Sequence, residues 1–259
     1  MKYDVIIVGA GMAGMTAGIY AARAGYSALV LEGKVYGGQI VESLKVGNWP
    51  GFDTVSGPEL MEKIYHQMNK FGAEIKYEVV EKITVKDDEN GKNSFLVKTD
   101  EAEYSCGAII IATGTEPRKL SEKQMKEVGS RPVSYCATCD GALYEGKPVV
   151  VVGSGNTAKY EISYLEKIAS KVYHIHHDEP IPSEAEAVFV AIGRVPATEF
   201  LKGIVELDGD GYVIAGEDCR TSCPGIFVAG DCRTKTVRQL VTAAGDGAVA
   251  AGEAGKYLR

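Results

Sequence analysis

Cys136-Ala137-Thr138-Cys139 runs directly into Asp140. Two thiols separated by two residues can close a small strained ring, and a disulfide held that way is easily reduced. Only a thiolate attacks another disulfide, so one thiol pKa must be lowered. Asp140 stands where a carboxyl could pass a proton to the leaving sulfur. Half of a zinc site and a pair of packed cysteines are the other readings. Zinc takes about four ligands. The remaining cysteines, Cys106, Cys219, Cys223 and Cys232, form no second Cys-x-x-Cys and read as small core or surface residues.

A second group of residues points to a nucleotide. Gly9-Ala10-Gly11-Met12-Ala13-Gly14 follows the apolar run 2–8 and precedes an Ala-rich stretch at 12–24. In such a motif the first Gly makes the turn and the second admits a pyrophosphate. The third lets helix and strand pack closely, and the helix N-terminus favours the anion. Glu32 ends the next apolar run, 27–31, in place for ribose hydroxyls. A plain glycine turn is the alternative, but strand, glycines, helix and acid all agree on a dinucleotide.

These groups need elements to hold them. The chain has 259 residues, 45% of them apolar, which suits one or two globular domains with a sizeable core. Gly is abundant, at 31 residues, as expected where backbone turns tightly or approaches a ligand. Net charge is −7, from 28 basic and 35 acidic residues, which disfavours a nucleic-acid binder. No apolar run is long enough to span a membrane and no secretory signal pattern opens the chain. Six cysteines suit a reducing compartment, so a cytosolic (cytoplasmic) location is expected.

Strands are expected at 2–8, 27–31, 74–85, 93–99, 108–112, 148–152, 171–175, 187–192 and 226–229. Helices are expected at 12–24, 58–71, 156–169 and 238–257, with a turn at 88–91. Two βαβ units of similar start occur in one chain. This pattern predicts an α/β protein with an inserted domain, residues 1–115 and 195–259 forming one unit and 116–194 the other.

Further motifs complete the picture: Gly37-Gly38-Gln39, Asn48-Trp49-Pro50-Gly51, Ala112-Thr113-Gly114, Ala229-Gly230-Asp231 and Arg238-Gln239 with Thr242-Ala243-Ala244-Gly245. With the cysteine motif they make the chain resemble a low-molecular-weight bacterial thioredoxin reductase, from residue 1 to the C-terminus with one large exception. The resemblance implies a three-layer, Rossmann-like FAD-binding domain and a homodimer. It implies FAD held by Gly9, Gly11, Gly14, Glu32, Gly38, Gln39, Asn48, Thr113, Gly114, Asp231, Arg238 and Gln239. Asn48 and Gln239 could equally be an ordinary turn Asn and surface Gln. By the same resemblance Cys139 faces the flavin, Cys136 attacks thioredoxin, and Asp140 handles the proton. Visiting both flavin and partner would take a swing about 114–117 and 193–196.

The exception lies in the second βαβ unit. Gly153-Ser154-Gly155-Asn156-Thr157-Ala158 survives, but only the eight residues 179–186 separate Asp178 from the strand at 187. A further crossover helix needs ten or more residues plus a strand. Where NADPH-linked members carry His-Arg-Arg, this chain has His176-His177-Asp178, and the following stretch adds Glu179, Glu184 and Glu186 with no base. That field repels a 2′-phosphate, although Asp178 could take the ribose diol of NADH. The pattern is similar to ferredoxin-linked flavin thioredoxin reductases, which implies ferredoxin as donor. Arg118, Lys119, Lys123, Lys126 and Arg131 form one basic stretch, and Arg233, Lys235 and Arg238 another. Each is a docking patch or merely a solvated surface. A reductase driven by NADH or NADPH and a non-catalytic flavin redox sensor are the alternatives.

Overall fold

The computed structural model describes residues 2–33, 35–87 and 93–259; the turn expected at 88–91 lies outside them. The chain divides into two units. One comprises Met1–Leu44, Asn48–Thr115 and Pro196–Arg259, the other Lys45–Gly47 and Glu116–Val195.

The first unit begins with a βαβ. The apolar run makes β1 (Lys2–Val8), the Ala-rich stretch α1 (Met12–Arg23), and the next run β2 (Ala28–Leu31). β1 pairs in parallel with β2, Val8 opposite Leu31. Helix α2 (Gly57–Lys70) starts where Ser56 Oγ accepts the Glu59 N–H and Pro58 fits the first turn. The single strand expected over 74–85 is two. β3 (Glu74–Lys76) pairs in parallel with β2, whereas β4 (Val80–Asp87) runs antiparallel to β5 (Asn93–Thr99). Between them Asp100 Oδ1 takes the Val79 N–H and turns the chain out of one pairing into the other.

β6 (Glu103–Ile111) joins the two parts. Its first half pairs with β5 and its last residues with β13 (Ile226–Val228), while β1 lies along its length. Ile6, Leu29, Ile109 and Val228 of the parallel strands share one apolar cluster with Ile83, Phe95 and Val97 of the meander. The meander therefore covers one face of the parallel sheet. α1 and α6 (Leu240–Leu258) pack against each other, with α6 also against β6 and β13. Alternation decides this: a strand turns successive side chains to opposite faces, so both must be apolar here.

The second unit has a four-stranded sheet in the order β10-β9-β11-β8. Its elements are α3 (Glu122–Val128), β8 (Val133–Ser134), α4 (Ala137–Asp140), β9 (Pro148–Val152), α5 (Asn156–Leu165), β10 (Lys171–Ile175) and β11 (Ala187–Val190). β7 (Thr115–Pro117) and β12 (Arg194–Pro196), where the chain passes between units, pair as a two-stranded ribbon. Val149, Val151 and Phe189 pack with Ala158 and Leu165 of α5 on one face. Val150, Val152 and Val188 pack with Val128 of α3 and with Ile181 and Ala185 on the other.

Several element ends differ from expectation. β6 starts at Glu103 rather than 108, because Glu103–Cys106 pair with β5 ahead of the apolar run. α5 stops at Leu165 rather than 169, because Lys167 and Ile168 donate three residues back, to Tyr164 O and Leu165 O, tightening the chain into turns. β11 stops at Val190, shortly before Gly193 turns at φ +97°. α6 starts at Leu240 because Gln239 and Thr242 form a capping box.

Candidate functional site

The glycines of the first turn divide by role. Gly9 has φ +105°, and a Cβ there would lie 2.4 Å from Ala112 O; one on Gly14 would lie 1.8 Å from Gly9 O. Those two glycines are required by close packing. Gly11 differs: a Cβ there would meet nothing within 4 Å. It is also the N-cap of α1, which has no side-chain cap and no acid in its first turn. The result is an open space at a helix N-terminus, where amides and helix dipole favour an anion. Glu32 is tied to this turn, its Oε2 accepting the Ala10 N–H at 2.8 Å.

Other expected residues converge here. Gly38 (φ +63°) lies against Gly11 Cα, and the Gly37 N–H donates to Ala10 O at 2.8 Å. Gln39 Nε2 donates to Thr115 O, next to Gly114 and Thr113. Thr113 Oγ1 is buried and makes no hydrogen bond among the described residues. Asp231 sits in the tight turn Gly230–Cys232, and a Cβ on Gly230 would meet Ala13 Cβ at 3.0 Å. This puts Asp231 beside the first turn of α1. Asn48 Nδ2 donates to Gln239 Oε1 at 3.0 Å, pairing residues 191 positions apart. Arg238 donates to Asp231 O and Arg233 O and lies over the Tyr212 ring. It clasps the Asp231 turn by its backbone.

Behind that turn is a buried ion cluster not foreseen from sequence. Asp246 of α6 accepts Arg233 Nε and Nη2 at 2.9 Å each, Lys235 Nζ at 2.8 Å and the Gly230 N–H at 2.9 Å. Burial would raise the Asp246 pKa, but Arg233, Lys235 and the Gly230 amide outweigh it and hold it below the usual value. This corrects the second basic stretch as a docking patch: Arg233 is 2% exposed and Lys235 is inside with it. The signal in sequence was Asp246, one of two acids in an Ala/Gly-rich helix. Only the packing of α6 shows which cations it meets.

In the second unit Cys136 and Cys139 are joined in a disulfide, Cα atoms 5.3 Å apart, both half-buried. Ser134 organises the motif. Its hydroxyl donates to Asp140 Oδ2 at 2.6 Å and accepts the Cys136 N–H at 3.1 Å. Asp140 is thereby fixed to the backbone of the cysteine turn. Ser134 was missed because a serine two residues before a Cys-x-x-Cys has no distinctive spacing. The other cysteines are different in kind. Burial pushes the Cys106 and Cys219 thiols up to about 12, and raises Cys232 and Cys223 as well, so none is primed as a thiolate.

The second glycine turn is also built. Gly153 (φ +144°) would bring a Cβ within 2.2 Å of Ala191 O, and Gly155 is the open N-cap of α5. On β10, however, His174 Nε2 bonds Gly153 O at 2.6 Å, and just beyond the strand the Glu179 carboxylate takes the His176 N–H. The segment 176–186 reaches β11 without a helix. Ile181 and Ala185 fill the sheet face instead. Gln124 of α3 donates to Glu179 O, and Arg131 donates to Pro182 O and Ala185 O. Arg131 thus belongs to the fold, leaving Arg118, Lys119, Lys123 and Lys126 as the exposed bases of the first stretch.

A dinucleotide cradle in one unit and a redox disulfide in the other define a class, the nucleotide-holding disulfide oxidoreductases. The family model described as pyridine nucleotide-disulphide oxidoreductase matches residues 3–183 and 178–247. A Listeria monocytogenes thioredoxin reductase is 36% identical over 304 aligned positions, covering 99% of this chain and 94% of the relative. A Streptococcus pyogenes thioredoxin reductase structure shares 34% identity with TM-score 0.87, covering 99% of this chain and 98% of that one. A ferredoxin-flavin thioredoxin reductase structure from Clostridium acetobutylicum shares 27% identity with TM-score 0.63, covering 100% and 98%. The chain belongs to the pyridine nucleotide-disulphide oxidoreductases and, among them, to the low-molecular-weight thioredoxin reductases. It is a FAD flavoprotein with thioredoxin as its disulfide substrate. The residues fit FAD: Gly11 leaves room for the pyrophosphate at the N-terminus of α1, which no side chain caps and where no acid lies in the first turn. Among the described residues, no helix is long and apolar enough to cross a membrane.

Proposed function

We propose that reduced ferredoxin, rather than a pyridine nucleotide, supplies the electrons. The observation that carries this is the connection 176–186. Where a dinucleotide site needs a second crossover helix and strand, this chain has a short strap that packs Ile181 and Ala185 on the sheet. The two family-model matches meet at 178–183, inside that strap. The alignment with the Listeria relative spans 304 positions but covers only 99% of the 259 residues here, so roughly 45 or more of its positions have no counterpart in this chain. Asp178, Glu179, Glu184 and Glu186 add a field hostile to a 2′-phosphate. The likeness to the clostridial ferredoxin-flavin enzyme supports the same donor.

FAD, when bound, accepts electrons singly and passes them on in pairs. The chain's residues would do the rest. Gly11 and the α1 N-terminus would hold the pyrophosphate, over the turn that Gly9 and Gly14 close, and Glu32 would take the ribose. Gly38, Gln39, Asn48, Thr113, Gly114, Asp231, Arg238 and Gln239 line or brace the remainder. Two electrons cleave the Cys136–Cys139 bond, Cys139 facing the flavin. The Cys136 thiolate would attack one sulfur of the thioredoxin disulfide, breaking that S–S bond and expelling the other sulfur as a thiolate to which Asp140, held by Ser134, passes a proton; Cys139 would then attack Cys136, restoring the Cys136–Cys139 disulfide and releasing reduced thioredoxin. Exposed Arg118, Lys119, Lys123 and Lys126 would steer an acidic carrier. The connections at 114–117 and 193–196 would act as hinges, in a cytoplasmic homodimer.

The intact Gly153 turn favours a second reading, a donor site for NADH or NADPH. Anaerobic spectroscopy separates the two. The flavoprotein receives NADPH, then NADH, then photoreduced ferredoxin. Bleaching with ferredoxin alone, followed by thioredoxin thiols, is the expected result. Bleaching by either nucleotide overturns the proposal.

A further inference from the structure

Helix α5 turns Ala158, Glu161 and Leu165 to one side, three and four residues apart, and all three are buried. Ala158 and Leu165 belong to the apolar cluster that includes Ala137 of α4. Glu161, 5% exposed, occupies the core position between them. Its Oε2 is buried with no hydrogen-bond partner among the described residues. A carboxylate in that place is costly unless neutralised. Burial pushes its pKa up to about 7, against the Ala137 amide and the Arg194 guanidinium, which favour the charge. α4 packs directly on α5, and Ala137 lies inside the Cys136–Cys139 ring. The carboxyl therefore sits against the backbone of the redox disulfide.

The surrounding groups are few. From α4 come the cysteines and Asp140, the latter held by Ser134. Tyr144, in the turn after α4, has its hydroxyl pKa raised by burial and by Asp140. β9 presents valines. On β10 His174 is engaged by Gly153 O, and Lys171 lies over Tyr173. Arg194 is the cation whose field reaches Glu161.

We propose that Glu161 is a positioning residue for the dithiol: it sits against the Ala137 amide and, by its charge state, sets how readily the reduced cysteines release a thiolate. The inference rests on Cys136 and Cys139 being the working pair. It does not depend on the electron donor. A carboxylate near a thiol disfavours the thiolate. Glu161 therefore restrains Cys136 and Cys139 when ionised and ceases to do so when protonated.

The test uses the flavin-loaded protein, reduced with excess dithiothreitol and desalted anaerobically. Iodoacetamide alkylation of Cys136 and Cys139 is followed by peptide mass from about pH 5.5 to about pH 9. Glu161→Gln is expected to match the parent below about pH 6, where both side chains are neutral, and to react roughly threefold faster above about pH 8. Glu161→Asp should restore an inflection, displaced from that of the parent. Superimposable profiles for parent and Glu161→Gln overturn the proposal. Cysteines unreactive in both proteins overturn the working-pair reading and the proposal with it. Should Glu161→Gln lose its flavin or fail to fold, Arg194→Gln takes its place. Removing that cation should move the lower inflection to higher pH, and an unmoved inflection overturns the proposal.

Discussion

The chain contains two glycine turns of nearly the same backbone. Gly11 caps α1 at φ −78°, ψ −171°, and Gly155 caps α5 at φ −79°, ψ −177°. Gly9 N donates to Leu31 O at 2.8 Å and Gly153 N to Ile175 O at 2.9 Å. Ala112 and Ala191 close the two turns by donating to Val8 O and Val152 O. The surroundings part company after the second strand of each unit. In the first, Glu32 joins the turn, and Gly38 and the Asp231 turn close round it. In the second, His174 bonds a carbonyl of the turn, and the segment 176–186 packs Ile181 and Ala185 on the sheet. A glycine turn, then, is first a device for packing helix on strand. Ligand capacity depends on what the chain builds afterwards.

Several substitutions would sharpen or break this contrast. The largest effect belongs to the second unit's cysteines. Cys139→Ser should retain flavin and lose about a thousandfold or more in thioredoxin reduction, measured as thiols formed per flavin. Asp140→Asn should cost about a hundredfold in the same assay, and Ser134→Ala several-fold, because Ser134 only orients Asp140. The two turns themselves can be set against each other. Gly11→Val fills the open space at α1 and should cut bound FAD at least about tenfold, read as flavin absorbance per protein. Gly155→Val, at an equally open position, should leave flavin content and ferredoxin-driven turnover within about twofold. A large loss there would mean that the second turn holds a ligand.

Asp246→Asn tests how the first unit keeps its site rigid. It removes the buried counter-ion of Lys235 and leaves Arg233 only the exposed Glu217 at 3.7 Å, and should destabilise by about 3 kcal/mol in denaturant unfolding. The Asp246 pKa is lowered in the fold, so its contribution is present above the ordinary carboxylate value of 3.8 and lost as pH falls through the lowered one. Unfolding midpoints of parent and Asp246→Asn should therefore converge in acid. Parallel curves down to about pH 2 would refute the assignment.

Much of the fold is legible in the residues. Continuous apolar runs flanked by glycine read as buried parallel strands, and β1, β2, β9 and β10 lie where that pattern puts them, within a residue. Local propensity and burial agree at those segments. Residues 74–85 show the opposite case. Their alternation is strand-like throughout, yet Tyr77–Val79 divide two strands with different partners. Pairing is a long-range choice that alternation does not encode. The basic residues near 235 failed for a related reason, since charge in sequence carries no sign of burial.

Read from residue type and spacing alone are the two glycine turns, the Cys-x-x-Cys pair with Asp140, and the short connection from β10 to β11. Each is a matter of residue type and spacing along a few turns of chain. Tertiary structure decided the rest: that Asn48 meets Gln239, that Asp246 gathers Arg233 and Lys235, and that Ser134 holds Asp140. It also decided that Glu161 lies buried against the cysteine turn rather than in solvent. The physical reason is the same throughout. A polar group's chemistry is set by what it is desolvated against, and its neighbours come from distant parts of the chain.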